Sequence, residues 1–345
     1  MKAVPLNKVL IIQTAFLGDV VLATSLIESI HAEMPETEIH FLVRKGNETL
    51  LKAHPYVKKI WVYDKKKRFF AILSLIAAFR KERFDAILNL HRFLSSGLMT
   101  VCSGAKFTAG FNKNPLSSFY SMSVEHKIPF PKQNGTSFLH ETQRNHQVLS
   151  SWRYFSYRKP KLYPEAADFE KVKSLIEGPF VVFAPGSIWP TKRLPENKWI
   201  ELIANIPNDY SIYFIGASDE NDRIVDLMSS VMERKGMLNL AGSLSLLQSA
   251  ALMSMAERNF VNDSGPLHLA SAMDAPVTAF FCSTIPQFGF GPLSSDSMVV
   301  EVKEKLSCRP CGIHGLRECP LNHYNCGNEI QIDSNLLKLK EFVSN

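Results

Sequence analysis

The sequence predicts an α/β protein with two Rossmann-like domains that face each other across a cleft. Short apolar runs alternate with helical stretches in both halves of the chain, a pattern typical of parallel, doubly wound sheets. An irregular stretch from about 112 to 165, rich in Ser, Asn, Pro, Lys and His, separates the two halves. We therefore predict domains at 1–165 and 166–345, the second with a cysteine-rich segment at 308–326 and a terminal helix.

Length and composition fit two globular domains. The chain has 345 residues, of which 46% are hydrophobic and 21% charged, and this excludes wholesale disorder. A net charge of +6 suits anionic partners. No nucleic-acid-binding signature accompanies that charge, so we expect no nucleic acid partner. The sequence shows neither a secretory signal nor an apolar run long enough to span a bilayer, so we expect a cytoplasmic protein with reduced cysteines.

The first strand and helix predict a ligand-binding edge. Val9 to Ile12 form a short, β-branched run typical of a strand buried on both faces. A loop at 13–18 follows, and Asp19 then precedes apolar residues at helical spacing, which places Asp19 at a helix start. Such a loop lies at the carboxyl end of a strand, where open α/β sheets bind ligands. Taken alone, an Asp at this position is more often a helix cap than a functional carboxylate.

The first domain continues with further strands and one unusual helix. The strands are predicted at 38–43, 60–63, 84–90 and about 106–111. The helix at 69–79 is apolar, and basic residues crowd both of its ends. It is either a crossover helix packed on the sheet or a surface helix that touches anionic lipid. The sequence favours the crossover helix, because apolar residues cover too much of the circumference for an interfacial helix.

The second domain repeats the alternation and carries a polar loop. Strands are predicted at 180–184, 210–215, 260–261 and 277–281, helices at 197–204, 219–234, 245–255 and 268–272, and a further short element at 237–240. The loop at 185–193 contains Gly186, which lets the backbone approach a ligand closely. Ser187 and Thr191 add hydroxyls, and Lys192 adds a mobile cation suited to phosphate. The loop lacks the Walker A spacing.

The stretch from Asn262 to His268 (NDSGPLH) is a stronger signal than this loop. It places a polar cluster where a strand ends and a helix begins. The backbone N–H groups of Ser264 and Gly265 are expected to point at an anion, as helix N-termini do. Taken separately, Asp263 reads as a helix cap and His268 as a core histidine. Together these residues indicate a phosphate or pyrophosphate site.

These motifs resemble those of glycosyltransferase family 9, the ADP-heptose:lipopolysaccharide heptosyltransferases, and the resemblance covers nearly the whole chain. The most specific matches are GDVVLAT at 18–24, APGS at 184–187 with Lys192, and NDSGPLHLA at 262–270. A looser match is FDAILNL at 84–90 with Gly104 and Gly110. The resemblance implies the GT-B fold, in which the N-terminal half binds a lipid-linked acceptor and the C-terminal half binds the ADP-sugar.

The resemblance also implies roles for single residues. Asp19 matches the catalytic base of the family, and Lys192 matches the lysine at the donor phosphates and sugar. Ser187 lies in the phosphate-contacting loop, with Thr191 expected beside it, and Glu220 matches a glutamate at the adenosine ribose. The family's D-T-G-x-x-H donor motif, with Ser in place of Thr and with Pro266 as a further departure, corresponds to Asp263, Ser264, Gly265 and His268. For the acceptor we expect contacts from Gly18, His91 and Arg92.

The implied reaction is an inverting transfer that requires no cofactor. Asp19 takes a proton from an acceptor heptose hydroxyl, and Lys192 with its neighbours stabilises the departing ADP. The acceptor is a lipid A-core lipopolysaccharide, so the basic N-terminal half predicts peripheral contact with the anionic inner face of the inner membrane. Two other functions stay open: a GT-B transferase or epimerase that uses another nucleotide sugar, and a non-catalytic nucleotide-sugar-binding protein.

Four of the six cysteines fall in one short segment near the end of the chain. Cys308, Cys311, Cys319 and Cys326, with His323, resemble the tail of heptosyltransferase II members. They supply enough soft ligands for a tetrahedral zinc ion. Their gaps do not follow the paired C-x-x-C spacing of zinc ribbons. The sequence therefore leaves two interpretations open: a structural zinc site, or reduced cysteines that pack an irregular loop.

Overall fold

The structure is a computed structural model that describes residues 6–128, 130 and 138–339, except for the side chain of Arg68. The chain divides into two compact units, Met1–Tyr163 and Pro164–Asn345. The sequence analysis drew its boundary two residues further along, at 165. Within the described residues each unit contains one six-stranded parallel sheet flanked by helices.

The first unit has its strands in the order β3-β2-β1-β4-β5-β6. The strands are β1 (Lys8–Ile12), β2 (Glu38–Arg44), β3 (Val57–Tyr63), β4 (Ala86–Asn89), β5 (Phe107–Phe111) and β6 (Met122–Val124). The helices are α1 (Leu17–Glu33), α2 (Arg68–Glu82), α3 (Leu94–Val101) and α4 (Glu141–Ser150). The predicted strands of this half are confirmed, whereas α3 and β6 were missed because each is short.

The second unit has the order β12-β11-β10-β7-β8-β9, which is the same topology. The strands are β7 (Phe180–Ala184), β8 (Ser211–Phe214), β9 (Met237–Asn239), β10 (Arg258–Asn262), β11 (Val277–Phe281) and β12 (Ser297–Glu301). The helices are α5 (Ala166–Lys173), α6 (Glu196–Asn205), α7 (Asn221–Ser229), α8 (Leu246–Met255), α9 (Gly265–Ala272) and α10 (Asn325–Asn328). Both sheets have the classic Rossmann order, so the prediction of two Rossmann-like domains is confirmed.

Three predicted helix bounds need correction. α1 begins at Leu17, two residues before the expected start, because the Asp19 carboxylate in its third position accepts a hydrogen bond from the Phe16 N–H. α7 ends at Ser229 rather than at 234. The described part of the tail has a 3₁₀ turn at Ser334–Leu336 in place of the predicted terminal helix, and residues 340–345 lie outside the description.

α2 packs on the first sheet through one side and exposes apolar residues on the other. Leu75 and Phe79 are buried and pack in the core cluster that covers one face of the first sheet. Phe69, Phe70 and Leu73 are instead exposed, so the expectation that the apolar residues of this helix would be buried is only half correct. No helix among the described residues is long and apolar enough to cross a membrane.

Aromatic side chains hold the second sheet against α6. The Phe183 ring lies 5.4 Å from the Trp199 ring and 5.0 Å from the Phe260 ring, measured between centroids. The three side chains are fully buried. Aromatic pairs at such distances contribute roughly 0.5–1.5 kcal/mol each beyond the area that they bury. Because Phe183 is on β7 and Phe260 on β10, this core fixes the strand ends from which the polar loops leave.

Candidate active site

Both units place polar groups at the point where the strand order reverses. β1 pairs with β4 in the first sheet, and β7 pairs with β10 in the second. Loops that leave the carboxyl ends of such neighbouring strands diverge, and ligands of open α/β sheets bind there. In the first unit these loops carry Asp19 and His91. In the second they carry Lys192 and Asp263.

A buried ion pair lies at the centre of the second edge. The Lys192 Nζ is 2.7 Å from the Asp263 Oδ2, and the two side chains are 14% and 6% exposed. The Thr284 hydroxyl donates to the same carboxylate oxygen at 2.6 Å. Asp263 is therefore not the cap of α9, whose capping residue is Ser264. Its carboxylate instead holds the lysine ammonium at the sheet edge.

The first turn of α9 lies directly beside this pair. α9 begins at Gly265, Pro266 has no N–H, and the Leu267 N–H donates to the Ser264 carbonyl at 3.1 Å. The backbone N–H groups placed to suit an anion at this helix end are therefore those of Ser264 and Gly265. Ser264 is half-buried, and its hydroxyl donates to the Asn262 carbonyl at 3.4 Å. His268 is buried within the helix, 6.4 Å from the Phe290 ring between centroids. The structure thus brings the predicted motif residues together at one helix end.

Asn262 ties the two loops of this edge to each other. Its side-chain amide donates to the Pro185 carbonyl at 2.8 Å, and its carbonyl oxygen accepts from the Leu194 N–H at 2.9 Å. The side chain is fully buried. The sequence analysis quoted Asn262 as the start of a motif but assigned it no role. The structure assigns it the bracing of the loop that carries Ser187 and Lys192.

Thr191 links that loop to later segments of the second unit. Its hydroxyl accepts from the Leu316 N–H at 2.7 Å and lies 3.0 Å from the Ser283 hydroxyl, which donates to it. It also donates to the Leu316 carbonyl at 3.1 Å. These bonds use the one donor and both acceptor positions of the Thr191 hydroxyl. Thr191 was predicted to bind the donor, but in the structure it supports the loop.

Glu220 packs against the glycines that end β7 and β8. Its carboxylate accepts a hydrogen bond from the Ala217 N–H at 3.0 Å. A Cβ atom at Gly186 would collide with this carboxyl group, so only glycine fits there while Glu220 holds its position. Burial lowers the pKa of Arg223, the charge of Arg193 lowers it further, and that of Glu220 opposes the shift. Glu220 thus lies close enough to Arg223, a cation that the sequence analysis did not select, to affect its pKa.

The cysteine-rich segment packs onto the Lys192 loop. The Tyr324 hydroxyl donates to the Thr191 carbonyl at 2.9 Å and also contacts the Arg193 carbonyl. The Cys311 N–H donates to the Ser283 carbonyl at 3.0 Å. The Tyr324 bonds span more than a hundred positions and reach the residues on either side of Lys192. The Cys311 bond reaches Ser283, whose hydroxyl donates to Thr191. The segment therefore helps to hold the Lys192 loop in place.

The cysteines are free thiols. Burial raises the pKa of Cys326 to about 12. The Cys308 Sγ lies 4.0 Å from the His323 Nε2. All four predicted ligands, Cys308, Cys311, Cys319 and Cys326, are described, yet no group of three or more His, Cys, Asp or Glu side chains in the described ranges is placed to hold a metal ion. The structure gives the zinc interpretation no geometric support.

The first edge carries Asp19 at the start of α1. Gly18 and Asp19 are half-buried in the first helical turn. The Asp19 carboxylate accepts from the Phe16 N–H at 3.2 Å. A carboxylate in this position is stabilised in its ionised form by the helix dipole. Asp19 thus combines the helix-stabilising role expected of such a residue with partial access to solvent.

His91 is buried two residues beyond the end of β4. The ring Nδ1 lies 3.0 Å from the Thr14 hydroxyl. The backbone N–H of His91 donates to the side-chain oxygen of Asn89 at 2.9 Å. Burial lowers the pKa of His91 to about 4, and the charges of Lys65 and Arg92 add to this shift. His91 is therefore neutral at pH 7. Thr14, which follows β1, is a neighbour that the sequence analysis missed.

Three cations lie at this edge of the first sheet: Arg92 and Lys65 are exposed, and Arg44 is half-buried. Arg92 is exposed, with its guanidinium carbon 5.4 Å from the centroid of the Phe93 ring. The Arg44 guanidinium carbon lies 4.9 Å from the centroid of the Phe16 ring. Burial lowers the pKa of Lys65, and the charge of Arg44 adds to that effect. The first edge therefore presents positive charge and aromatic surface rather than a closed polar site.

Comparisons with known proteins agree with this arrangement. The family model described as glycosyltransferase family 9 (heptosyltransferase) matches residues 72–321. A lipopolysaccharide core heptosyltransferase, OpsX of Haemophilus influenzae, is 25% identical over 96% of this chain and 95% of its own length. Lipopolysaccharide heptosyltransferase 1 of Campylobacter coli is 23% identical over 87% of this chain and 91% of its own.

A solved structure has the same fold. ADP-heptose lipopolysaccharide heptosyltransferase II of Escherichia coli superposes with a TM-score of 0.73 at 20% identity, covering 88% of this chain and 95% of that one. At this identity the likeness shows the fold alone. It confirms the predicted α/β fold class of the GT-B type.

Proposed function

The chain belongs to glycosyltransferase family 9, the heptosyltransferases, and we propose that it transfers heptose from ADP-heptose to the inner core of a lipopolysaccharide, as heptosyltransferase II does. The observation that carries this proposal is the buried Lys192–Asp263 pair beside the first turn of α9. A fixed ammonium and the backbone N–H groups of Ser264 and Gly265 together suit a diphosphate leaving group.

The second unit is proposed to bind the donor. Lys192 and the backbone N–H groups of Ser264 and Gly265 face the diphosphate, and Ser187 lies in the loop beside them. Glu220 accepts hydrogen bonds from the adenosine ribose. Asp263, itself held by the Thr284 hydroxyl, already fixes the lysine, so the positive charge is in place before the leaving group develops negative charge. The displacement invokes no cofactor.

The first unit is proposed to bind the acceptor and to accept its proton. A hydroxyl of the acceptor sugar passes its proton to Asp19, and the oxygen attacks the anomeric carbon of the heptose as the bond to ADP breaks. This single displacement inverts the anomeric centre. The helix dipole keeps Asp19 ionised, which makes it a weak base that accepts the proton late in the displacement. His91 and Arg92 lie at the same edge, where His91 is neutral and Arg92 can contact anionic groups of the core.

The acceptor sets the proposed location of the enzyme. A lipid A-core acceptor is anchored in the inner membrane, so the enzyme must meet it at the cytoplasmic face. We propose peripheral, reversible contact with that anionic surface. The exposed cations near His91 support this proposal, since basic residues near an anionic bilayer are attracted by about 1 kcal/mol each.

The relatives do not distinguish heptosyltransferase II from types I and III, because relatives of the three types are 23%, 22% and 23% identical to this chain for types I, II and III. The resemblance of the cysteine-rich tail to type II members is what favours type II. The deciding experiment measures heptose transfer to lipopolysaccharide acceptors truncated at successive core sugars. We expect transfer to the acceptor that already carries the first heptose. Transfer only to an acceptor without heptose would indicate type I instead.

A further inference from the structure

α2 exposes an apolar face that the fold does not need. Phe69, Phe70 and Leu73 are 64%, 81% and 47% exposed. Phe69 and Leu73 are four residues apart and therefore neighbours on one side of the helix. Leu75 and Phe79, on the other side, already supply the packing against the sheet. The outer residues thus add exposed apolar surface to a helix that is anchored without them.

Basic residues border this face, and acidic ones are absent from it. Lys65, Lys66 and Lys67 form an exposed 3₁₀ turn that leads directly into α2. Arg80 and Lys81 are exposed at the far end of the helix. The sequence from 65 to 81 contains no acidic residue. The nearest preceding one, Asp64, accepts from the Lys66 N–H and lies 3.5 Å from the Lys45 ammonium.

This face adjoins the edge that carries Asp19. α2 follows β3, whose carboxyl end lies on the same side of the parallel sheet as the ends of β1 and β4. Lys65 is close enough to His91 to affect its pKa. The apolar residues at the start of α2 are therefore continuous with the proposed acceptor edge.

We infer that the face formed by Phe69, Phe70 and Leu73 inserts into the surface of an anionic lipid bilayer, while Lys65 to Lys67 contact the headgroup phosphates. Aromatic and aliphatic side chains flanked by lysines match the two layers of a membrane interface, acyl boundary and phosphates. An acidic protein partner would match the lysines but would leave the exposed phenylalanines without a chemical counterpart. The inference rests on the proposed function for its purpose, which is to bring the acceptor edge to the lipid-linked acceptor.

The test compares a triple variant with the wild type in vesicle co-sedimentation. Phe69→Ser, Phe70→Ser and Leu73→Ser together should weaken binding to vesicles of phosphatidylglycerol and phosphatidylcholine by roughly tenfold or more, because three apolar side chains lose their burial. Affinity for ADP should stay unchanged. The matched control is Val225→Ser with Met232→Ser, which removes exposed apolar side chains from the second unit and should leave vesicle binding intact. A thermal melt checks that all variants are folded.

A second variant reports insertion directly. Phe70→Trp places a fluorophore on the face, and its emission, after subtraction of the wild-type signal, should shift to the blue and be quenched by brominated lipid in anionic vesicles. Unquenched emission, or a triple variant that sediments like the wild type, would overturn the inference. So would a wild type that ignores anionic vesicles at low salt but is captured by an acidic protein surface.

Activity separates this inference from the proposed function. The triple variant should lose transfer to acceptor embedded in vesicles and keep transfer to an acceptor whose acyl chains have been removed. If the wild type binds vesicles through these side chains but transfers no heptose to either acceptor, the membrane inference stands and the proposed function fails. Loss of transfer to both acceptors in the triple variant alone would contradict the inference, because the face would then act on catalysis itself.

Discussion

The carboxyl edges of the two sheets share one topology but differ in how they are built. In the second unit, Lys192, Asp263 and Thr284 form a buried, paired cluster next to the N-terminus of α9. In the first unit, Asp19 is half-buried and Arg92 is exposed. The difference teaches that one topology can carry a preorganised polar cluster at one carboxyl edge and an open, basic edge at the other, which suits the two kinds of recognition that we propose. A small diphosphate of fixed shape suits a preorganised cluster, whereas a large lipid-linked acceptor suits an open, positively charged edge.

The largest expected effect comes from Asp19, the residue at the carboxyl edge of the first sheet that we propose as the catalytic base. Asp19→Asn keeps an oxygen that can accept from the Phe16 N–H but removes the base. Turnover should fall by about 10²–10⁴, the usual scale for loss of a general base, while ADP affinity stays near that of the wild type. Steady-state kinetics and calorimetry with ADP measure the two quantities.

Asp64→Asn is the matched control for this comparison. Asp64 directly follows β3 at the same edge and also accepts a backbone hydrogen bond, in its case from Lys66. We expect its turnover to remain close to that of the wild type. Equal losses in the two variants would show that general charge at this edge, rather than a base at Asp19, supports transfer.

His91 tests whether the open edge contains a rigid buried group. Its pKa is about 4 in the folded protein and 6.5 in the unfolded chain. Because the unfolded chain takes up the proton first, the neutral His91 loses its stabilising contribution as the pH falls from 6.5 towards 4. The loss can reach roughly 3 kcal/mol at the acid end, from about 1.4 kcal/mol per pKa unit.

Urea unfolding across this pH range measures the effect. His91→Gln should unfold with a weaker dependence on pH than the wild type. His40→Gln is the matched variant, because burial lowers the pKa of His40 to about 4 as well, and that histidine lies on β2, away from the edge. An unchanged pH dependence in His91→Gln would mean that His91 is solvated rather than buried.

Lys192→Ala tests the preorganised cluster at the carboxyl edge of the second sheet. It removes the cation from a buried pair, so the affinity for ADP should fall by roughly 10- to 100-fold, the equivalent of about 1.5–3 kcal/mol for a charged hydrogen bond. Lys198→Ala is the control, since that lysine pairs with Glu201 on the surface of α6. Calorimetry that finds the same ADP affinity in all three proteins would place Lys192 outside the donor site.

The smallest expected effect concerns the support of the donor loop. Tyr324→Phe removes the hydroxyl that bonds to the Thr191 and Arg193 carbonyls. The KM for the donor should rise about 2- to 10-fold, the equivalent of one neutral hydrogen bond, with a smaller change in kcat. Tyr213→Phe loses a comparable bond to the Leu175 carbonyl elsewhere in the unit and should leave the donor KM unchanged. A KM that rises equally in both variants would indicate general destabilisation.

The sequence predicted features that depend on neighbouring residues and missed contacts between residues far apart in the chain. The positions of Asp19, Lys192 and Asp263 followed from strand–loop–helix patterns within a few residues. The bond from Tyr324 to the Lys192 loop spans 133 residues, and that between Thr14 and His91 spans 77, so no local pattern could predict either.

Two further failures have physical causes. α2 is apolar around most of its circumference, so periodicity could not tell its buried side from its exposed side. The elements that were missed, such as β6 and α3, are three and eight residues long. Such short elements depend on pairing with neighbours that are distant in the sequence rather than on their own periodicity.

The central proposal is that the carboxyl edge of the second sheet binds ADP-heptose, whose heptose is transferred to an acceptor bound at the carboxyl edge of the first sheet. The most direct measurement is a donor panel of ADP-heptose, ADP-glucose and UDP-sugars, offered with a heptose-bearing core acceptor while released nucleotide and glycosylated product are followed together. The account predicts that the wild type forms glycosylated product and an equal amount of ADP from ADP-heptose. Asp19→Asn should turn over slowly, and Lys192→Ala should bind the donor weakly. Product from a UDP-sugar in place of ADP-heptose, or ADP-heptose that binds but never turns over with any acceptor, would contradict it.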